Sequence, residues 1–510
     1  MSRINTNVQS LIAQRNLSQQ NQSLNKTLER LSTGFRINRG GDDPAGLIAS
    51  EALRSEKASL QTAIGNAERA EQVVNIAEGG LQEVNSLLLE LQSLIGQSGS
   101  EAGLSTEEKE ANQQQIDNIL STVDRISQTT TFQGTKLLNG SFDFTVSGQN
   151  ANIVDLQVNG AKLGNDNVDV DAIVTQSAQQ AGVFLSLGAA GLGLAASDEK
   201  LTVEIAGANG LREFSFGQSA ALNDMASQIN SFSEVTGVSA AVDGTGIALN
   251  SVDTGSAEFV SIDVIDDGGQ SGEIFAFSEE NALSADAGNQ LATLSGATNP
   301  LRDTGEDVGA LVNGIQARGI GNKLTVNSDT LSLEATLSAS VTQSLGNESL
   351  FTITGGGASF NLGPSVDLTN QVRLGIPTVQ TSKLGVRNIE DANNAGEQIR
   401  VSLKDLGSGR ALNVVDGDLL NGQKVVDDTI KQVSTLRGRL GSFQKNVVGS
   451  TINALGVTFE NISAAESAIR DTDFAEATAD LTRSQVLQQA AQSALSLANA
   501  QPQSVLSLLG

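Results

Sequence analysis

The clearest pattern along the chain is a heptad. One apolar series falls at Leu53, Leu60, Ala67, Val74, Leu81, Leu88 and Ile95, and a second, offset by three, at Ala63, Ala70, Ala77, Val84 and Leu91. Alternating steps of three and four place both series along one seam of a helix and predict coiled-coil packing. Asp43 is positioned to cap the start of this helix and Pro44 to occupy its first turn. From Pro44 to Ile95 it would run on the order of 75 Å, and so needs partners for its stripe. Two further segments supply them. Ser105 and Glu108 have capping-box spacing ahead of Ile116, Ile119, Leu120, Val123 and Ile126. Val426, Ile430, Val433, Leu436, Leu440, Phe443 and Val447 repeat the same step late in the chain. The chain is expected to leave this bundle near residue 130 and return after about residue 415.

The extreme ends carry thinner stripes. Residues 4–31 hold Ile4, Val8, Leu11, Leu17, Leu24, Leu28 and Leu31, with a register break after Leu11. Residues 473–500 hold Phe474, Leu481, Val486, Leu487, Ala490, Ala491, Ala494, Leu495 and Ala498, opened by Asp473 with Glu476 three later. Pro502 is expected to interrupt this helix, leaving Val505, Leu506, Leu508 and Leu509 as an apolar tail. Two such helices offer each other little core, so self-association is expected to order them.

Between the helical ends the period changes. Leu201, Val203 and Ile205 alternate with polar residues, and Phe214 and Phe216 continue the habit. Leu222, Met225, Ile229 and Phe232 have helical spacing, and strand-like runs follow at 238–242, 247–249 and 259–264. This predicts a β-β-α-β-β unit at about 200–265, with more strands at 324–337 and 351–362. The run containing Gly182, Gly188, Gly191 and Gly193 reads as a linker. The expected fold is mostly α at the joined termini, a coiled-coil helical bundle, with a central inserted α+β, β-rich region in an elongated multi-domain chain. Its divisions are 1–43 with 471–510, 44–175 with 390–470, and 176–389.

Charge sharpens this division. Residues 1–140 carry 12 basic and 16 acidic residues and 390–510 carry 10 and 14, whereas 141–389 carry 9 and 28. Acidity is concentrated in the middle, and near-neutral ends suit packing against copies of themselves. A net charge of −27 argues against nucleic-acid binding. The chain contains no cysteine, histidine, tryptophan or tyrosine, which excludes disulfides, thiolate or imidazole metal sites, and every His- or Cys-dependent catalytic arrangement. Asp263, Asp266 and Asp267 with Gly268 and Gly269 lack calcium-loop spacing and read as an acidic turn. Gly188–Gly193 lacks the strand–turn–helix setting of a nucleotide loop. No catalytic, cofactor or metal residues are expected. The first residues lack the apolar core of a secretory signal and no stretch has membrane-spanning length, which by themselves suggest a cytosolic protein.

Both ends resemble bacterial flagellins. The N-terminal likeness starts at "MSRINTNVQSLIAQRNL", continues through "LERLSTGFRINRGGDDPAGLIASEALRSE" and ends near "VDRISQTTTFQGTKLLNG". The C-terminal likeness includes "STLRGRLGSFQKNVV" and "ISAAESAIRDTDFAEATADLTRSQVLQQAAQSALSLANAQPQSVLSLL". The resemblance implies a non-enzymatic subunit that self-assembles into the flagellar filament for swimming motility. It moves the expected location to the extracellular filament, reached by flagellar type III export without a cleavable signal. Terminal helices would form an inner tube, the heptad bundle a spoke, and the middle an outer decoration. Implied partners are the chain itself, an export chaperone, hook-associated proteins and a filament-cap protein, with no membrane or nucleic acid.

Carried onto this sequence, the polymerisation interface would comprise Ile4, Val8, Leu11, Leu24, Leu28, Leu31, Val486, Leu487, Ala490, Ala494 and Leu495. Gly34, Gly40, Gly41 and Gly46 would serve the joint between tube and spoke. The stretch that the innate immune receptor reads in many flagellins aligns with Leu88–Gln97. Its pattern is altered here at Glu90, Gln92, Ser93, Gln115 and Ile119, which implies weak or absent receptor activation. The alternative is a hook–filament junction protein, which shares similar terminal helices.

Overall fold

The computed structural model describes residues 6–100, 103–164, 167–188, 192–194, 198–276, 290–297, 300–328, 330–390 and 398–506. Ile4, Gly191, Leu508 and Leu509 lie outside them. Among the described residues, the helices of nine residues or more are α1 (Val8–Thr33), α2 (Pro44–Ser98), α3 (Thr106–Thr129), α4 (Leu222–Asn230), α5 (Leu419–Ser442), α6 (Ser450–Arg470) and α7 (Phe474–Leu506). The chain divides into two compact units. One comprises Met1–Asn75, Phe360–Gln371 and Arg439–Gly510, the other Ile76–Ser359 and Val372–Gly438. The ends are helical and the region between them is β-rich, as the periodicity predicts.

Local signals explain where the helices start. Asp43 Oδ1 accepts the Gly46 N–H at 2.9 Å, capping α2 ahead of Pro44. A Cβ on Gly46 would lie 2.5 Å from Asp43 Oδ2, so this cap requires glycine there. Ser105 and Glu108 form the expected reciprocal capping box on α3. α5 and α6 are joined by a π-helical turn, Phe443–Gly449. Buried positions along α5 step regularly through Val433, Leu436, Leu440 and Phe443, and the next is Val448, five residues on. A wider turn absorbs that extra residue. Val447, expected in the apolar stripe, is therefore only half-buried.

In the first unit, the start of α2 lies antiparallel to α6. The Lys57 ammonium sits 3.2 Å from Glu466 and 5.5 Å above the Phe459 ring. Gln444 donates to Asn75 Oδ1 at 3.0 Å. The chain crossings into α2 and out of α6 are laced together: Arg36 N donates to Arg470 O at 2.7 Å and Thr472 N to Gly34 O at 2.9 Å. Gly34 adopts a left-handed φ of +76° to end α1.

In the second unit, Leu81, Val84, Leu88 and Leu91 of α2, Ile116, Ile119 and Val123 of α3, and Val426, Val433 and Leu436 of α5 are buried. Polar side chains of α3 hold the returning chain. Gln113 donates to Leu406 O at 2.9 Å and accepts from Val414 N at 2.8 Å, while Asp124 accepts the Thr381 N–H at 2.8 Å. The β region holds an antiparallel eight-stranded sheet, in spatial order 144–147, 346–356, 168–176, 309–312, 315–320, 323–327, 331–337 and 153–161. It also holds the predicted unit, in which strands Lys200–Gly207, Gly210–Gly217 and Phe259–Asp266 share a sheet and Val238–Asp243 pairs with Gly246–Ser251 in another. α4 packs Leu222, Met225 and Ile229 into their common core.

One expectation here is overturned. Gly182–Ser186 is not a linker but a strand, flanked by two others, with Val183, Phe184 and Leu185 all buried. Consecutive apolar residues buried on both faces of a sheet lack the alternation that marks a half-exposed strand. Of the acidic residues read as a turn, Asp263 and Asp266 lie in strand Phe259–Asp266, and the turn follows it, with Asp266 and Asp267 accepting the Gly268 and Gly269 N–H groups at 3.0 and 3.1 Å.

Candidate assembly interface

α1 and α7 pair antiparallel, joined by Gln488 donating to Asn21 Oδ1 and Ser10 donating to Asn499 Oδ1, both at 2.7 Å. Two series of buried and half-buried positions face each other, Ser10, Ala13, Leu17, Gln20, Leu24, Thr27 and Leu31 on α1, and Ala477, Leu481, Ser484, Gln488, Ala491, Leu495 and Ala498 on α7, with Asn21, Glu29, Arg30 and Asp480 half-buried beside them. Each series steps by threes and fours, as a two-stranded coil requires. The side chains in this seam are mostly small or polar. Thr27, Ala477 and Ser484 are its best-buried members, and its leucines are only half-buried.

Five leucines lie half-buried in the seam, and several other large apolar side chains face the other way. Val8 is 53% exposed, Leu11 57%, Val486 60% and Leu497 69%. On α7, Val486, Ala490, Ala494 and Leu497 recur at steps of four, four and three, with Leu487 alongside, all exposed. Scattered exposed leucines are ordinary, whereas a helical stripe of them implies something to cover it.

The residues singled out from sequence thus separate into two groups. Val8, Leu11, Leu28, Val486, Leu487, Ala490 and Ala494 are exposed, while Leu24, Leu31 and Leu495 lie half-buried in the seam within the chain. Leu497, 69% exposed, was not singled out. Its signal was its position three after Ala494. In the heptad series of α2, Leu60, Ala67, Val74, Leu81, Leu88 and Ile95 are at most 2% exposed, and Leu53 is half-buried. Of the receptor-stretch residues, Glu90, Ser93 and Gln115 are exposed. Gln92 is half-buried and donates to Asp427 at 2.6 Å, and Ile119 belongs to the interior.

Beside the pair, Lys26 and Asp42 form an ion pair at 2.8 Å. The ammonium, aided by the N–H groups of Arg39 and Asn38, lowers the Asp42 pKa from 3.8 to about 2. The expected break at Pro502 does not occur, because α7 runs on to Leu506. The Asn7 amide donates to Ala498 O at 2.8 Å, the carbonyl that a proline at 502 leaves without its backbone donor. Among the described residues, no cluster of carboxylates suits a metal and no helix is long and apolar enough to cross a membrane.

Known proteins show the same ends. The bacterial flagellin N-terminal helical region matches residues 4–143, and the bacterial flagellin C-terminal helical region matches residues 423–509. Flagellin B of Helicobacter pylori is 27% identical over 538 residues, covering 99% of each chain. Flagellin of Salmonella typhimurium is 28% identical over 543 residues and B-type flagellin of Pseudomonas aeruginosa 29% over 526, again with 99% of each chain covered.

Proposed function

The chain belongs to the bacterial flagellins, and from that premise we propose that it enters the flagellar filament through the outward faces of α1 and α7. It is a structural subunit of that filament, part of the extracellular flagellum, and no observation favours the hook–filament junction alternative. The observation that carries the proposed interface is the exposed stripe Val486, Ala490, Ala494 and Leu497 on the side of α7 turned away from its seam with α1. The inner tube would be built from such pairs, with the heptad bundle as spoke and the β region outermost, where the excess acidic charge is solvated.

The same proposal includes export through the flagellar type III channel without a cleavable signal, and handling by an export chaperone, hook-associated proteins and a cap. The family likeness supports these steps. The family likeness also supports a structural, non-enzymatic role. Weak or absent activation of the innate flagellin receptor would follow from Glu90, which puts an exposed acidic side chain where many flagellins carry an arginine. Deletion of Gln485–Gly510 tests the interface by electron microscopy. Filaments growing normally from that truncation would overturn it.

A further inference from the structure

We infer that Asn7 is the residue that lets the C-terminal helix pass through Pro502, so that the two chain ends become ordered together. The inference rests on the filament reading for its consequence and on one amide for its mechanism. Asn7 Oδ1 accepts the Ser10 N–H at 3.0 Å, capping α1 at its first turn. The other end of the same amide, Nδ2, donates to Ala498 O at 2.8 Å, across 491 residues of sequence.

That carbonyl is a special one. In an uninterrupted helix the N–H of residue 502 would donate to the oxygen of residue 498. Proline has no N–H, so the acceptor is orphaned, and a proline inside a helix is disfavoured for this reason together with a steric one. α7 nonetheless continues to Leu506. The donor missing from the helix is supplied by the opposite end of the chain.

Asparagine suits both tasks. Aspartate caps equally well but carries no donor, and serine caps with a single hydroxyl one bond shorter than the amide that reaches Ala498 O from position 7. The last turn of α7 is thereby tied to the presence of α1, and the first turn of α1 is held to α7. A subunit with this staple orders both ends in one step, when they meet.

The test is a two-by-two set in the full chain: parent, Asn7→Ser, Pro502→Ala, and both together. Critical concentration for seeded filament growth and amide hydrogen exchange across 495–506 are read in the same samples. Asn7→Ser keeps the cap and should raise the critical concentration about fivefold, with faster exchange, as expected for one lost hydrogen bond. Pro502→Ala restores a backbone donor, so Asn7→Ser in that background should change either readout less than about twofold. Equal effects of Asn7→Ser in both backgrounds, or no effect in either, would overturn the staple. A parent chain that grows no filaments would instead overturn the assembly reading, and exchange across 495–506 would still decide the staple.

Discussion

Replacing Leu11 and Val486 with alanine removes two outward apolar side chains while leaving the α1–α7 seam intact. In the single chain these residues are 57% and 60% exposed, so more than half of each side chain has yet to leave water. Complete burial of an aliphatic side chain contributes roughly 1.5–3 kcal/mol, which leaves about 1 kcal/mol per position to be gained on assembly and lost on truncation to alanine. Two positions together amount to about 2 kcal/mol. At 1.4 kcal/mol per tenfold, the critical concentration should rise about thirtyfold. The single chain should hardly notice, because exposed substitutions of this kind usually cost within about 0.5 kcal/mol. Sedimentation of seeded polymerisation reactions over a concentration series measures the first quantity, and thermal melting by circular dichroism the second. A double variant polymerising within threefold of the parent's critical concentration would refute the outward-face assignment, as would an equal loss of monomer stability.

Three further outcomes are expected. Lys57→Ala should lower the thermal midpoint by a few degrees, since it strips Glu466 of a partner at 3.2 Å; Lys57→Met with Glu466→Gln should recover most of the loss. The Asp42 pKa is lowered to about 2, so its contribution is complete above pH ~4 and is lost as the pH falls toward 2. Asp42→Asn should flatten the melting midpoint over that window, and unchanged pH dependence would count against the Lys26 pair. Deleting exposed Lys445 from the π turn should convert it to regular α-helix with little effect on melting, whereas deleting exposed Ser434 should be severely destabilising. Similar melting curves for the two deletions would rule out the register account.

Some features needed only the order of residues. The capping residues Asp43, Ser105 and Glu108, the heptad of α2, the change of period in the middle and the concentration of acid there all act locally or by simple repetition. Helix starts and buried stripes of large apolar residues are therefore legible before any contact is known. Other features required the three-dimensional neighbours. The α1–α7 seam alternates leucines such as Leu17 and Leu24 with small or polar Ser10, Ala13, Thr27, Ser484 and Ala491, while exposed Val8, Leu11 and Val486 carry an equal hydrophobic signal, so only the pairing revealed which side of each helix faces its partner. Gly182–Ser186 became a strand because two other strands flank it. Ile119 was assigned both to an apolar stripe and to a surface patch, and packing left it inside. Pro502 breaks a helix when nothing replaces its missing N–H; here a donor arrives from Asn7, 491 residues away in sequence. Propensity and period describe what a segment does with its own neighbours. Which face is covered, and which orphaned group finds a partner, depends on what the rest of the chain brings beside it.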